Sequence, residues 1–193
     1  LSESFVSGAD FEKLLASIRT DKQAQLEAVG SLREATQMLE RKIQSLTHPP
    51  DARTGRPAAA VKPITASKGL LIFPVKGKIM SLYGSYRHPR LNVPAFRNGI
   101  DIAAERGEPV KAVHAGTILY SSWFKGYGNV VIIDHGDHFY SVYAHLEDVF
   151  KSVDNRVEAG DVIATTGDTG AMGVAGLYFE LRHHDRSLDP LEW

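Results

Sequence analysis

The chain has 193 residues, with 22 Lys and Arg against 23 Asp and Glu, and no cysteine. The formal net charge of −1 excludes a broad electrostatic grip on nucleic acid, which needs a basic face. Neither a disulfide nor a thiolate metal site can form, and no apolar run reaches the ~18 residues that a membrane-spanning helix needs.

The first residue is Leu1 rather than Met, which reads as a processed or partial chain with any signal peptide lying upstream. Residues 1–48 are rich in Glu, Lys, Gln, Leu and Ala. Placing Leu15, Val29 and Ile43 at heptad a sites puts Phe11, Ile18, Leu32, Leu39 and Leu46 at d sites. Lys22, Gln25 and Thr36 interrupt that seam, and no proline occurs before Pro49. The pattern predicts one helix some ~40 residues long, a rod of roughly 60 Å. A rod with a single apolar stripe needs a second helix along its seam, so this segment reads as part of a coiled coil. Pairing with a second copy of the chain is one way to satisfy it, giving a dimer.

Residues 49–68, "PPDARTGRPAAAVKPITASK", read as a linker, because Pro49, Pro50, Pro57 and Pro63 block regular hydrogen bonding. Ala58 to Val61 could form a short helical turn.

From Gly69 onward the texture changes. The runs "LLIFPV", "KAVHAGTILYSSW", "NVVIIDH", "FYSVYAHL" and "DVIATTG" are short and rich in β-branched or aromatic residues. They are separated by "KG", "GYGN", "HGDH" and "GDTG", which predicts short antiparallel strands. "HGDH" reads as a hairpin turn, and "LYFELR" as the final strand. Residues 69–193 are long enough to bury a core. The fold class is therefore mainly β, preceded by a long helix and a proline-rich linker.

Residues 69–193 resemble a LytM-type (peptidase M23) domain. The landmarks run in order: "GSYR", "NGIDIAAERGEPVKAVHAGTI", "GYGNVVIIDHGDHFYSVYAHL", "VEAGDVIATTGDTG" and "LYFELR". The resemblance implies an antiparallel β domain that in active members cuts peptidoglycan cross-bridges with zinc. It also implies ligands at a His, at an Asp four residues later, and at a His in the last motif. Two further histidines assist the attacking water.

Carried over position by position, the first ligand falls at Arg97, the second at Asp101 and the third at Tyr178. The water-assisting positions fall at Gly176 and His145. Only Asp101 and His145 keep the expected residue type. Arg97 is always charged and has no lone pair to give, so it repels a dication and is expected to pair with Asp101. Tyr178 is neutral near pH 7 and a poor ligand. No metal or other cofactor is expected. His183 and His184 would point to opposite faces if extended. His135 and His138, flanking a turn, could meet, and His145 reads as a residue hydrogen-bonded within the old cleft.

"LYFELR" in place of a double-histidine motif resembles the EnvC-type murein hydrolase activators, as do the coiled coil, linker and terminal LytM layout and "DPLEW". The resemblance implies a non-catalytic role, binding an N-acetylmuramoyl-L-alanine amidase and licensing septal peptidoglycan cleavage in the periplasm. It also implies a coiled-coil connection to an FtsEX-type division complex. On the last strand Tyr178, Glu180 and Arg182 share one face, and Tyr127 sits between glycines in "KGYGN". The expected contacts with the partner are Arg97, Tyr127, Val130, Tyr178 and Arg182, types suited to interface hot spots. The alternatives are a zinc endopeptidase with altered ligands and a module that binds peptidoglycan.

Overall fold

The computed structural model describes residues 8–47, 62–88, 92–169 and 174–193. The chain divides into two compact units, Leu1–Glu40 and Arg41–Trp193.

One helix, α1 (Gly8–Thr47), takes up the heptad-patterned segment over 40 residues. Ala, Leu, Glu, Lys and Gln dominate it, and straight-chain residues lose little rotamer freedom in a helix. Two of its seam residues, Ile18 and Leu32, are exposed. Near its end, inside the second unit, Ile43 is buried and the Lys42 ammonium lies 5.2 Å from the Tyr120 ring centroid. Of the expected linker, residues 49–61 fall outside the described residues, and so does the turn expected at Ala58 to Val61. The rest includes a 3-10 turn, Ile64–Ser67, with Ile64 fully buried.

The second unit is antiparallel β structure. Its strands are β1 (Lys78–Ser81), β2 (Gly84–Arg87), β3 (Pro94–Arg97), β4 (Ile100–Ala103), β5 (Pro109–Lys111) and β6 (Gly116–Phe124). They continue with β7 (Gly128–Asp134), β8 (Phe139–Val149), β9 (Arg156–Val157), β10 (Val162–Thr166), β11 (Gly176–His183) and β12 (Arg186–Leu188). The main sheet runs β1-β4-β11-β8-β7-β6-β9, with β10 joining β5 to β8 and β12 beside β11. Strands β2 and β3 form a separate hairpin.

Alternation along the strands builds the core. Ile100, Ile102, Leu177, Phe179, Tyr143, Val131 and Ile133 point to one side of the sheet and pack together. The intervening residues of β4, β11 and β8 face the other side, which is where the candidate site lies.

Three expectations change. "LLIFPV" is not a strand: Leu70, Ile72 and Phe73 are exposed, and the segment's Pro74 carbonyl accepts from Lys111 N–H at 2.8 Å. The stretch "SYRHPRLNVPAFRNG", which reads as a long loop, contains the β2–β3 hairpin. "LYFELR" is followed by another short strand, β12, which turns back along β11.

The β7–β8 turn is as expected. Gly136, Asp137 and His138 all take positive φ, and Gly136 N–H donates to Asp134 Oδ1 at 2.8 Å. The histidines around it are arranged otherwise than the sequence suggests. His135 turns inward, with Nδ1 2.8 Å from the Ala115 carbonyl and Nε2 2.7 Å from Ser141 Oγ. A carbonyl only accepts, so Nδ1 carries the proton and Nε2 accepts from Ser141. Ser141 in turn contacts the Tyr143 hydroxyl at 3.1 Å, and Val113 N–H donates to that hydroxyl at 3.0 Å. Burial holds the His135 pKa down at about 4, so the ring is neutral and its bare Nε2 is left to accept from the Ser141 hydroxyl. His138 stacks instead on His184, centroids 4.4 Å apart. His184 has φ +52, so the chain turns there and brings its ring within 4.4 Å of His183 rather than sending it to the opposite face.

Candidate functional site

Three neighbouring strands position the site. Register places Asp101 of β4 opposite Tyr178 of β11, and Tyr178 opposite Ala144 of β8, one residue before His145. Asp101 and Tyr178 therefore project side by side. Arg97 reaches them from the end of β3 through the short Asn98–Gly99 connection. Gly99 is required there, since a Cβ would stand 2.3 Å from the Phe179 carbonyl oxygen.

Arg97 pairs with Asp101 as expected, with Nε 3.5 Å from Oδ2. The guanidinium carbon lies 4.3 Å from the centroid of Tyr86 on β2, a cation–π contact that holds its flat face. Burial raises the Asp101 pKa, and the Ser81 hydrogen bond and the Arg97 charge only partly oppose it. The ion pair is thus a loose one that leaves part of the Arg97 guanidinium exposed, its side chain being 25% accessible.

Tyr178 is turned away from the metal-ligand role. Its hydroxyl donates to Glu180 Oε2 at 2.9 Å. Burial and then the Glu180 charge push its pKa well above the phenol range, so it keeps its proton. The other Glu180 oxygen accepts from Arg182 Nη1, and Arg182 Nη2 donates to the Asp185 carbonyl at 2.9 Å. Tyr178, Glu180 and Arg182 share one face of β11, as their spacing requires, yet Arg182 is only 1% exposed.

Tyr127 lies in the β6–β7 turn between Gly126 (φ +84) and Gly128 (φ +68). Its ring lies 5.4 Å from Tyr178 and 6.1 Å from His145, nearly parallel to the latter. His145 and Tyr178 are 6.3 Å apart, so the three rings form a triangle. His145 sits at φ +65, an unusual conformation for a residue with a side chain. Its backbone is fixed on both sides: its N–H donates to Tyr127 O at 2.8 Å and its carbonyl accepts from Gly167 N–H at 2.9 Å. Burial lowers its pKa to about 4, against a hydrogen bond to the Tyr127 backbone.

The arrangement does not fit zinc. Arg97 offers no lone pair, the Tyr178 hydroxyl is committed to Glu180, and at Gly176 a Cβ would stand 2.3 Å from the Ile102 carbonyl oxygen. Among the described residues no three His, Cys, Asp or Glu side chains come together so as to hold a metal ion.

The structure brings Arg97, Asp101, Tyr127, His145 and Tyr178 to one face. Val130 shares the sheet side of Tyr178 by alternation with Val131 and Ile133, but it is fully buried. As placed, Val130 and Arg182 present no surface to a partner, and Tyr127 and Tyr178 present little, each being 7% exposed. Two features escaped the sequence reading. Tyr86, within the quoted "GSYR", underlies Arg97; Glu180, visible only as a neighbour on the strand face, binds both Tyr178 and Arg182.

This fold and the order of its site positions define a peptidase family M23 domain: residues 95–190 match the model for that family. The chain carries a LytM domain of this family. It is 34% identical over 128 residues to the murein hydrolase activator EnvC of Escherichia coli strain K12, covering 66% of this chain and 30% of that protein. It is 34% identical over 122 residues to the murein hydrolase activator NlpD of the same organism, covering 63% of this chain and 30% of the relative. The chain thus spans about a third of each. Among solved structures, a zinc-containing peptidase from Vibrio cholerae superposes with TM-score 0.60 at 26% identity, over 63% of this chain and 39% of the other. The catalytic domain of lysostaphin from Staphylococcus simulans gives TM-score 0.53 at 27% identity, over 60% and 90%.

Proposed function

We propose that this chain is a non-catalytic activator of a peptidoglycan hydrolase, specifically of an N-acetylmuramoyl-L-alanine amidase. The supporting observation is the replacement at the old metal centre: a fixed guanidinium, Arg97, pairs with the one carboxylate left, Asp101. Such a site cannot bind and polarise a water molecule as a metal would. It can still grip a protein. Arg97 is the part-exposed member of the contact face, beside the small exposed edges of Tyr127 and Tyr178, while Val130 and Arg182 lie buried. The names of the EnvC and NlpD relatives agree with this role.

On this reading the chain works outside the cytoplasmic membrane, in the periplasm, during cell division. Helix α1 belongs to a coiled coil that links the domain to an FtsEX-type division complex, and its exposed seam residues allow pairing between copies of this chain.

The test mixes the purified chain with an amidase and dye-labelled sacculi. Dye release only when both proteins are present is the expected result. Release by the chain alone, with stoichiometric zinc, points to an endopeptidase. Retention on sacculi without amidase binding points to a peptidoglycan-binding module.

A further inference from the structure

Charge is unevenly placed along the chain. Between Asp51 and Asp101 the sequence holds no Asp or Glu, while Lys76, Lys78 and Arg87 fall in that interval. All three are exposed, and none forms a salt bridge with a described residue. Arg87 Nη1 donates to the Asn92 carbonyl at 3.0 Å, a neutral acceptor that fixes the guanidinium without cancelling its charge. The same stretch carries three large apolar side chains that stand out into solvent: Leu82 at 61% exposure, Met80 at 57% and Phe96 at 54%. Such side chains are ordinary when scattered singly, but gathered together they mark an interaction site.

Covalent reach and strand register gather these residues. Met80 and Leu82 are separated by at most about 7 Å of extended chain, and Lys78 lies as close on the other side of Met80. Met80 is the extra residue of a bulge in β1, since Ile79 pairs with Ile102 and Ser81 with Asp101. Tyr83 ties β1 to the hairpin: its ring meets Phe96 edge-on at 5.3 Å, and its hydroxyl donates to the Ser187 carbonyl at 2.9 Å. Ser85 opposite Phe96 and Arg87 opposite Pro94 put Phe96 and Arg87 on one face of the hairpin. Tyr86 and Arg97 take the other face, toward Asp101. The hairpin's share of the patch thus backs onto the cleft wall instead of lining the cleft.

The occupant has to be anionic, and it has to receive apolar side chains that project instead of lining a pocket. A protein partner must offer a matching hollow for each of them, whereas a fluid lipid surface closes around any shape. The bulge at Met80 bends the edge of the main sheet, which discourages a second copy from adding a strand to β1. Apolar side chains at the headgroup boundary and cations beside an anionic leaflet are the two contributions that hold a protein to a membrane surface. We infer that this face of β1 and the β2–β3 hairpin docks on an anionic phospholipid bilayer. Leu82, Met80 and Phe96 enter the headgroup boundary, and Lys76, Lys78 and Arg87 meet the lipid phosphates. The inference makes no use of the cleft and stands apart from the activator reading.

The test floats the full chain with vesicles of phosphatidylglycerol and phosphatidylcholine, and with vesicles of phosphatidylcholine alone. Binding to the first and not to the second is expected, weakening as salt is raised. Lys78→Gln with Arg87→Gln should weaken that binding about twentyfold, and Leu82→Ser with Met80→Ser about tenfold. These variants change exposed side chains only, and circular dichroism matching that of the unmodified chain checks their folding. Leu82→Trp reports insertion directly: its added fluorescence should shift to the blue on anionic vesicles and be quenched by lipids brominated in their acyl chains. Absence of binding to anionic vesicles at low salt, unchanged binding by both double variants, or an unshifted Leu82→Trp spectrum overturns the inference. So does a charge variant that still binds vesicles fully but loses an amidase, which would assign the face to an acidic protein surface.

Discussion

The Tyr178 hydroxyl donates to Glu180 Oε2 at 2.9 Å, two residues along the same strand. With Arg182 on the other carboxylate oxygen, Glu180 holds both of its strand-face neighbours, and the Glu180–Arg182 pair is 2% exposed on each side. Removing one member of a buried ion pair costs more than the pair itself contributes, because the remaining charge is stranded. Arg182→Met is expected to destabilise the domain by about 3–5 kcal/mol, read as a lowered urea midpoint. The double change Glu180→Leu with Arg182→Met should recover most of that loss.

Arg97 is different. Its contact with Asp101 is long, 3.5 Å, and part of its side chain is accessible. Arg97→Ala should cost only about 1 kcal/mol in unfolding free energy. On the activator reading it should still weaken amidase stimulation severalfold. Full stimulation by a correctly folded variant would remove Arg97 from the contact face.

The site can be given a metal. Arg97→His with Tyr178→His places two imidazoles beside Asp101, a donor set suited to zinc. Zinc retained against a competing chelator is expected for this double variant and not for the unmodified chain. Hydrolysis is not expected to follow, because Gly176 still stands where a water-assisting histidine would be needed. Gly176→Ala should itself lower stability by about 1–3 kcal/mol, since its Cβ would press on the Ile102 carbonyl oxygen at 2.3 Å.

Stability should depend on pH through two buried histidines. His135 and His145 both titrate at about 4 when folded, below the usual 6.5. Above the unfolded value both states are neutral and the groups contribute no pH dependence. Between about 6.5 and 4 the unfolded chain binds the protons, so stability falls as pH falls, by up to about 1.4 kcal/mol per pH unit for each group. His183, also lowered, adds in the same direction. Asp101 and Asp134, raised by burial, act oppositely at the acid end, because the folded state protonates first. Urea midpoints measured from pH 7.5 down to 4.5 should hold level to about 6.5 and then decline; a flat profile throughout would contradict the buried neutral state of both rings.

The loop that carries Tyr127 depends on Gly128. At φ +68 an alanine is strained, and its Cβ would stand 2.1 Å from Thr169 Oγ1. That hydroxyl donates to Leu146 O at 2.8 Å and accepts from Asn129 N–H at 3.3 Å. Gly128→Ala is expected to lower the melting temperature and change the near-ultraviolet circular dichroism from Tyr127.

Much of this was legible in the residues. A heptad seam without proline predicted α1, and period-two alternation put Tyr178, Glu180 and Arg182 on one face. The Arg97–Asp101 pair followed from the ligand positions that the family resemblance implies and from the chemistry of a cation without lone pairs. What alternation could not give was cover. It placed Val130 and Arg182 on the right side of the sheet but not the layer above them, which depends on residues far along the chain. The pairing of Arg97 with Tyr86 needed the β2–β3 hairpin, hidden in a stretch rich in proline and arginine that reads as a loop. "LLIFPV" misled because apolar content alone does not supply a partner strand.

The close approach of Gly176 to Ile102 has a consequence for how such a domain can change. Restoring either lost ligand needs only a side-chain swap, whereas any side chain at position 176 must first pry two hydrogen-bonded strands apart. Position 176 is therefore the costliest of the three to fill, because a side chain there demands a backbone shift that a swap at position 97 or 178 does not.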